Sequence, residues 1–128
     1  MTTTTIRLVS GLALAGLLTA CGEKPAPTVS YARDIAPIIE QNCLECHRPG
    51  GDGEVASGLR LDDYADLMKG TRFGPVVKPG DSLSSTLVIL IEGRADPSLK
   101  MPHGDRQPLS PGQIQMIRQW IDQGAKNN

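Results

Sequence analysis

The stretch 41–50, QNCLECHRPG, holds Cys43, Cys46 and His47 in the order C-x-x-C-H and so takes two of the chain's three cysteines and one of its two histidines. A turn of helix through these residues sets both thiols and the imidazole on one face. The order admits four readings: covalent attachment of a haem, half of a zinc site, a redox dithiol, or chance. A structural zinc site needs four ligands, and only His103 is left to join these three. A thioredoxin-like dithiol stands beside a strand-helix-strand pattern, which the sequence lacks.

The start of the chain argues for export. Residues 1–20 combine a polar stretch, one positive charge at Arg7 and an uncharged apolar run from Leu8 to Ala20. That is the length of a signal peptide and short for a bilayer span. Leu18-Thr19-Ala20-Cys21 resembles a bacterial lipobox, in which the cysteine is lipidated and becomes the first residue after cleavage. More than one acyl chain on Cys21 gives stable anchoring where a single chain is marginal. Gly22 lacks the inner-membrane retention signal of an Asp at that position, which points to the outer membrane. Residues 21–29 then read as lipid anchor and tether, extended by two prolines and reaching about 25 Å. The domain is expected over 30–128.

With Cys21 assigned to lipid and Cys43 and Cys46 to the motif, no cysteine remains for a structural disulfide. Small exported domains have thin cores and usually rely on such bridges. Aromatic side chains are also few: Tyr31, Tyr64, Phe73 and Trp120. A large, flat, apolar group bound to the motif would supply the missing core, which favours one covalently held haem c over the other readings. Thirteen basic residues against fourteen acidic ones leave no footprint for nucleic acid.

Helical periodicity organises the rest. Tyr31, Ile35, Ile38 and Ile39 make one helical face leading to Cys43, with Asp34 as the expected cap. Residues 46–58, with four glycines and a proline, read as a loop. A short helix follows, capped by Asp62 or Asp63, faced by Tyr64, Leu67 and Met68 and stopped at Gly70. Another is expected in DSLSSTLVILIEG, with Leu83, Leu87, Leu90 and Ile91 inward. RADPSLKMPHGDRQP shows no periodicity, and an aperiodic stretch of this length in a small domain is usually functional. The last helix has the clearest start: Ser110 and Gln113 as a capping box, Pro111 at its first position, Leu109 stapling to Ile114, and Ile117, Trp120 and Ile121 as the buried stripe before Gly124. The sequence predicts an all-α fold of about four helices, its long loops wrapped around one haem.

If His47 binds the iron from one side, the other ligand comes from Met68, Met101, Met116 or His103. Met68 and Met116 lie within helical patterns and serve as apolar filler. Met101 stands in the aperiodic loop, where Pro102 restricts the backbone, and His103 is the alternative.

The chain resembles the small monohaem c-type cytochromes, and more closely the planctomycete-type cytochrome c domain. The stretches that carry the resemblance are DIAPIIEQNCLECH (34–47), GLRLDDYADLMKG (58–70), PGDSLSSTLVILIEG (79–93) and KMPHGDRQPLSPGQIQMIRQWIDQGA (100–125). It implies covalent attachment at Cys43 and Cys46, His47 as proximal ligand, and Met101 as distal ligand. His103 departs from the pattern, in which a proline or another non-ligand often follows the Met-Pro pair. The function expected is electron transfer between redox proteins of the periplasm by a lipid-anchored carrier, not an enzyme. The alternatives are a peroxidase-like haem enzyme or a gas or redox sensor with a displaceable sixth ligand. Arg48, Arg72, Lys78, Arg94, Lys100 and Arg106 are candidates to steer an acidic partner to the haem edge.

Overall fold

The computed structural model describes Met1 and residues 26–128. The expected signal segment 1–20, Cys21 and the first part of the tether lie outside the described residues. Those described are helical, and the only extended pairing among them is an isolated bridge between Thr71 and Gly74.

The first helix opens with a wide π turn, Tyr31–Ile35, and continues as α1, Ala36–Asn42. Its cap is Ser30, not Asp34: Ser30 Oγ accepts from the Arg33 N–H at 3.2 Å, and the Asp34 carboxylate accepts from the Ser30 N–H at 2.8 Å. Pro37 explains the widened turn. Its ring has no N–H to give and crowds the carbonyl four residues back, so the turn before it bonds in a looser register, with Ala36 N–H reaching Tyr31 O. Tyr31, Ile35 and Ile39 are buried and Ile38 packs beside them, as the periodicity predicts.

α2 is a single turn, Leu44–His47. The glycine-rich stretch expected as a loop contains a further helix, α3, Asp52–Ser57. It buries none of its residues and so leaves no apolar period to read. α4, Tyr64–Lys69, is capped by Asp63, whose Oδ1 accepts from the Asp66 N–H at 2.8 Å, and ends at Gly70 with φ 81°.

α5 is shorter than its pattern, Thr86–Ile91. Ser82, Ser84 and Ser85 bond Asp122, Asp81 and the Asp81 carbonyl with their side chains, which holds residues 81–85 in turns. Leu83 is therefore outside the helical phase and 63% exposed, while Val88, not anticipated as inward, is fully buried with Ile91.

α6, Pro111–Asp122, follows its sequence signals: both capping-box bonds form, at 3.2 and 2.9 Å, and Ile117, Trp120 and Ile121 are buried. Its Trp120 meets Tyr31 and Tyr64 with ring centroids 5.6 and 6.4 Å away, and the two tyrosines meet edge to face at 5.2 Å. Trp120 Nε1–H and Tyr64 O–H donate to the carbonyls of Lys126 and Ala125, so both polar tips are satisfied. Three of the four aromatics thus make one cluster where the first and last helices join; Phe73 is exposed. Residues 27–29, expected as tether, are pinned here: the Gln123 amide donates to Pro27 O and accepts from the Val29 N–H, and Val29 is buried.

Candidate haem-binding site

A cavity of about 400 Å³ opens between α2, α3, α5 and the loop 100–109. Cys43, Cys46 and His47 line one part of it, and Met101, Pro102, His103 and Arg106 line another, with Leu61, Leu87, Ile91 and Leu109 among the apolar walls. The structure therefore brings together every haem-binding residue expected from the sequence. The cavity is partly open to solvent, and its walls are mainly apolar. An apolar cleft of this size, with a few convergent thiol, imidazole and thioether groups, has the character of a ligand site.

Local backbone geometry presents the motif. Cys43 stands at the junction of α1 and α2 with φ −126°, where α1 breaks and the chain turns again. The Cys46 and His47 N–H groups both reach back to the Cys43 carbonyl, at 3.2 and 3.1 Å, which curls the two thiols and the imidazole toward one side. Both cysteines are free thiols. Burial, helped by the neighbouring Cys46, pushes the Cys43 thiol up to about 11 and keeps it protonated at neutral pH.

His47 is buried, and its Nδ1 lies 3.1 Å from the carbonyl oxygen of Leu59. A carbonyl only accepts, so Nδ1 carries the proton and Nε2 keeps its lone pair. The neighbouring Leu61 N–H donates to the His47 carbonyl at 2.9 Å, so the 59–61 segment holds both the ring and the backbone of this residue. That outer contact is what an iron-binding imidazole requires: a fixed tautomer, a fixed plane and a strengthened donor at Nε2.

Across the cavity, the Met101 N–H donates to Leu90 O at 3.1 Å, which ties its loop to α5. Its side chain is half-buried and packs against the core, whereas His103 is exposed. Arg106 is ion-paired to Glu45 of α2 at 2.8 Å, and this contact holds the guanidinium above its ordinary pKa. Among the described residues no cluster of three or more His, Cys, Asp and Glu side chains is arranged for a metal ion on its own, so the zinc reading finds no support.

Sequence reasoning missed three parts of the site. The Leu59 carbonyl and the Glu45–Arg106 pair join segments with no shared pattern. Gly53 was counted only as a loop residue.

An all-helical fold that gathers two thiols, an imidazole and a thioether around one apolar cavity is that of a cytochrome c-like domain. Residues 43–105, just under half of the chain, match the family model described as Planctomycete cytochrome C, which supports a cytochrome c-like domain over that stretch. Neither the curated proteins nor the solved structures offered a match. Cytochromes of this class hold haem c and carry electrons, and the thiols, imidazole, thioether and apolar walls of the cavity fit that group in their chemistry.

Proposed function

We propose that the protein is a monohaem electron carrier, anchored by lipid at Cys21 to the periplasmic face of a bacterial membrane, with His47 and Met101 as its iron ligands. The observation that carries this reading is the disposition of His47: buried, proton held at Nδ1 by Leu59, and Nε2 left free in a cavity that also contains Met101.

Haem c supplies a one-electron couple when bound. Cys43 and Cys46 would secure it through two thioether bonds, each thiol adding across a vinyl group with no net oxidation. His47 and Met101 would hold the iron, and with both ligands supplied by the protein a change of charge would need little movement of the chain. The apolar walls formed by Leu61, Leu87, Ile91 and Leu109 limit water and set the local dielectric. Redox proteins of the periplasm are the partners. Lipid on Cys21 and a leader at 1–20 account for the N-terminal sequence.

The test is a reduced-minus-oxidised visible spectrum of the full chain, produced with haem-attachment machinery and recorded with and without CO. A low-spin c-type spectrum that CO leaves unchanged supports the carrier. Prompt CO binding by the reduced protein overturns it in favour of an enzyme or a gas sensor. Intact mass reads one haem added and a lipidated Cys21 at the N-terminus; an unmodified Cys21 in membrane-associated protein removes the anchor.

A further inference from the structure

Gly53 stands in the first turn of α3 with a backbone outside the left-handed region, so its conformation does not call for glycine. Space does. A Cβ at this position would lie 2.7 Å from Cε1 and 2.9 Å from Nε2 of His47, and 3.0 Å from the Cys46 carbonyl oxygen. The first two atoms belong to the edge of the ring that would face an iron atom. The ring has little freedom to move aside, because Nδ1 is held 3.1 Å from Leu59 O. Gly51, nearby, is required for a different reason: its Cβ would meet the Cys46 backbone, at 2.4 Å from O and 2.8 Å from C. A side chain at 51 displaces the main chain of α2, whereas one at 53 displaces the ring.

We propose that Gly53 is the positioning residue for the proximal ligand: the space left by its missing side chain holds the His47 imidazole in the plane that keeps its hydrogen bond to Leu59. This rests on the reading of His47 as an axial ligand. A donated Nδ1–H strengthens Nε2 as a donor and favours ferric over ferrous iron. A methyl group at 53 turns the ring away from Leu59, weakens that donation and raises the midpoint potential. Loosening of the pocket by a merely structural defect has the opposite sign, because admitted water stabilises the more positively charged ferric state. The sign of the change therefore separates positioning from packing.

The experiment compares the haem-loaded parent with Gly53→Ala and with Gly112→Ala as control, since a Cβ at Gly112 meets only Ser110 Oγ, at 3.9 Å. Midpoint potential and the haem-methyl shifts in the proton NMR spectrum of the ferric protein are read together, the shifts reporting the plane of the axial imidazole. The expected result is a raised potential and a redistributed methyl pattern in Gly53→Ala, with Gly112→Ala matching the parent. An unchanged or lowered potential with a parent-like pattern overturns the proposal. If Gly53→Ala yields no haem protein, the parent decides: a slowly exchanging His47 Nδ1–H and a single ring orientation support it, and a rapidly exchanging proton or an averaged ring overturns it. A parent that takes up no haem overturns the reading of the site itself, which is a distinct result.

Discussion

Arg106, on the loop that carries Met101, is ion-paired to Glu45, on the helix that carries His47, with Nη2 2.8 Å from Oε2. The two sides of the cavity are thus fastened by one contact between partly exposed charges. A pair of this kind adds little to global stability and is screened by salt. Its effect belongs to the opening of the loop. Arg106→Gln should retain haem but let added imidazole displace the distal ligand several-fold faster. Salt should speed the parent toward the variant's rate and leave the variant nearly unchanged. Equal, salt-independent rates in stopped-flow measurements would show that the pair fastens nothing.

Met101 is half-buried and tied to α5, while His103 is exposed on the same loop. Axial ligands move haem potentials over a range of about 0.8 V, and a thioether favours ferrous iron relative to a second imidazole. Met101→His should lower the midpoint clearly, Met101→Ala should admit CO, and His103→Ala should do neither. Loss of the low-spin spectrum in His103→Ala, with Met101→Ala unaltered, would assign the ligand to His103.

The apolar cavity makes folding depend on its occupant. Replacing both attachment thiols, Cys43→Ala with Cys46→Ala, should leave a chain without a cooperative thermal transition, because the apolar cavity walls would face water in a small domain with a thin core and no disulfide. A sharp transition by calorimetry in the haem-free variant would count against this.

Legibility in the sequence followed how local each cause is. α6 was readable because its cap, its first-position proline and its apolar stripe all lie within fifteen residues. The C-x-x-C-H was readable for the same reason. α3 was not, since it buries no side chain of its own and is held by its contact with the motif helix. Leu83 was misplaced because serine side chains stop α5 short of it, a competition that periodicity does not register. Ser30 replaced Asp34 as cap once Pro37 forced a wider turn. Gly53 carried no signal of its own in the sequence, because only the structure shows it to be helical and close to the His47 ring.

Ser82 is 2% exposed, and its N–H and hydroxyl donate to the two oxygens of Asp122 at 2.8 and 2.9 Å. Asp122→Ala leaves two buried donors without partners and should cost about 1–3 kcal/mol in urea unfolding of the haem protein. Ser82→Ala removes only one bond and should cost about 1 kcal/mol. Equal losses would mean that water replaces the carboxylate.

Burial alone would raise Glu92, but hydrogen bonds from Arg94 and Arg118 outweigh it and hold the carboxyl below its ordinary 4.5. A carboxyl depressed on folding adds stability that is fully present above 4.5 and is lost as pH falls through its folded value. Glu92→Gln should therefore lower the melting temperature modestly at pH 7 and flatten its decline below pH 4.5. Parallel melting curves across that range would exclude the linkage.

The grip of Gln123 on Pro27 and Val29 changes the mechanics of the proposed anchor. A chain free from Cys21 to residue 29 would behave as a loose leash, letting the body swing and present any side to the bilayer. With the chain fastened at Pro27, six residues lie between the proposed anchor and the domain, a reach of at most about 20 Å at full extension. The pivot is also set beside the C-terminal helix, at the Trp120 cluster. If Cys21 is lipidated as proposed, a domain held from that point would be confined to a shallow layer above the lipid, where encounters with membrane-bound partners would become a search in two dimensions.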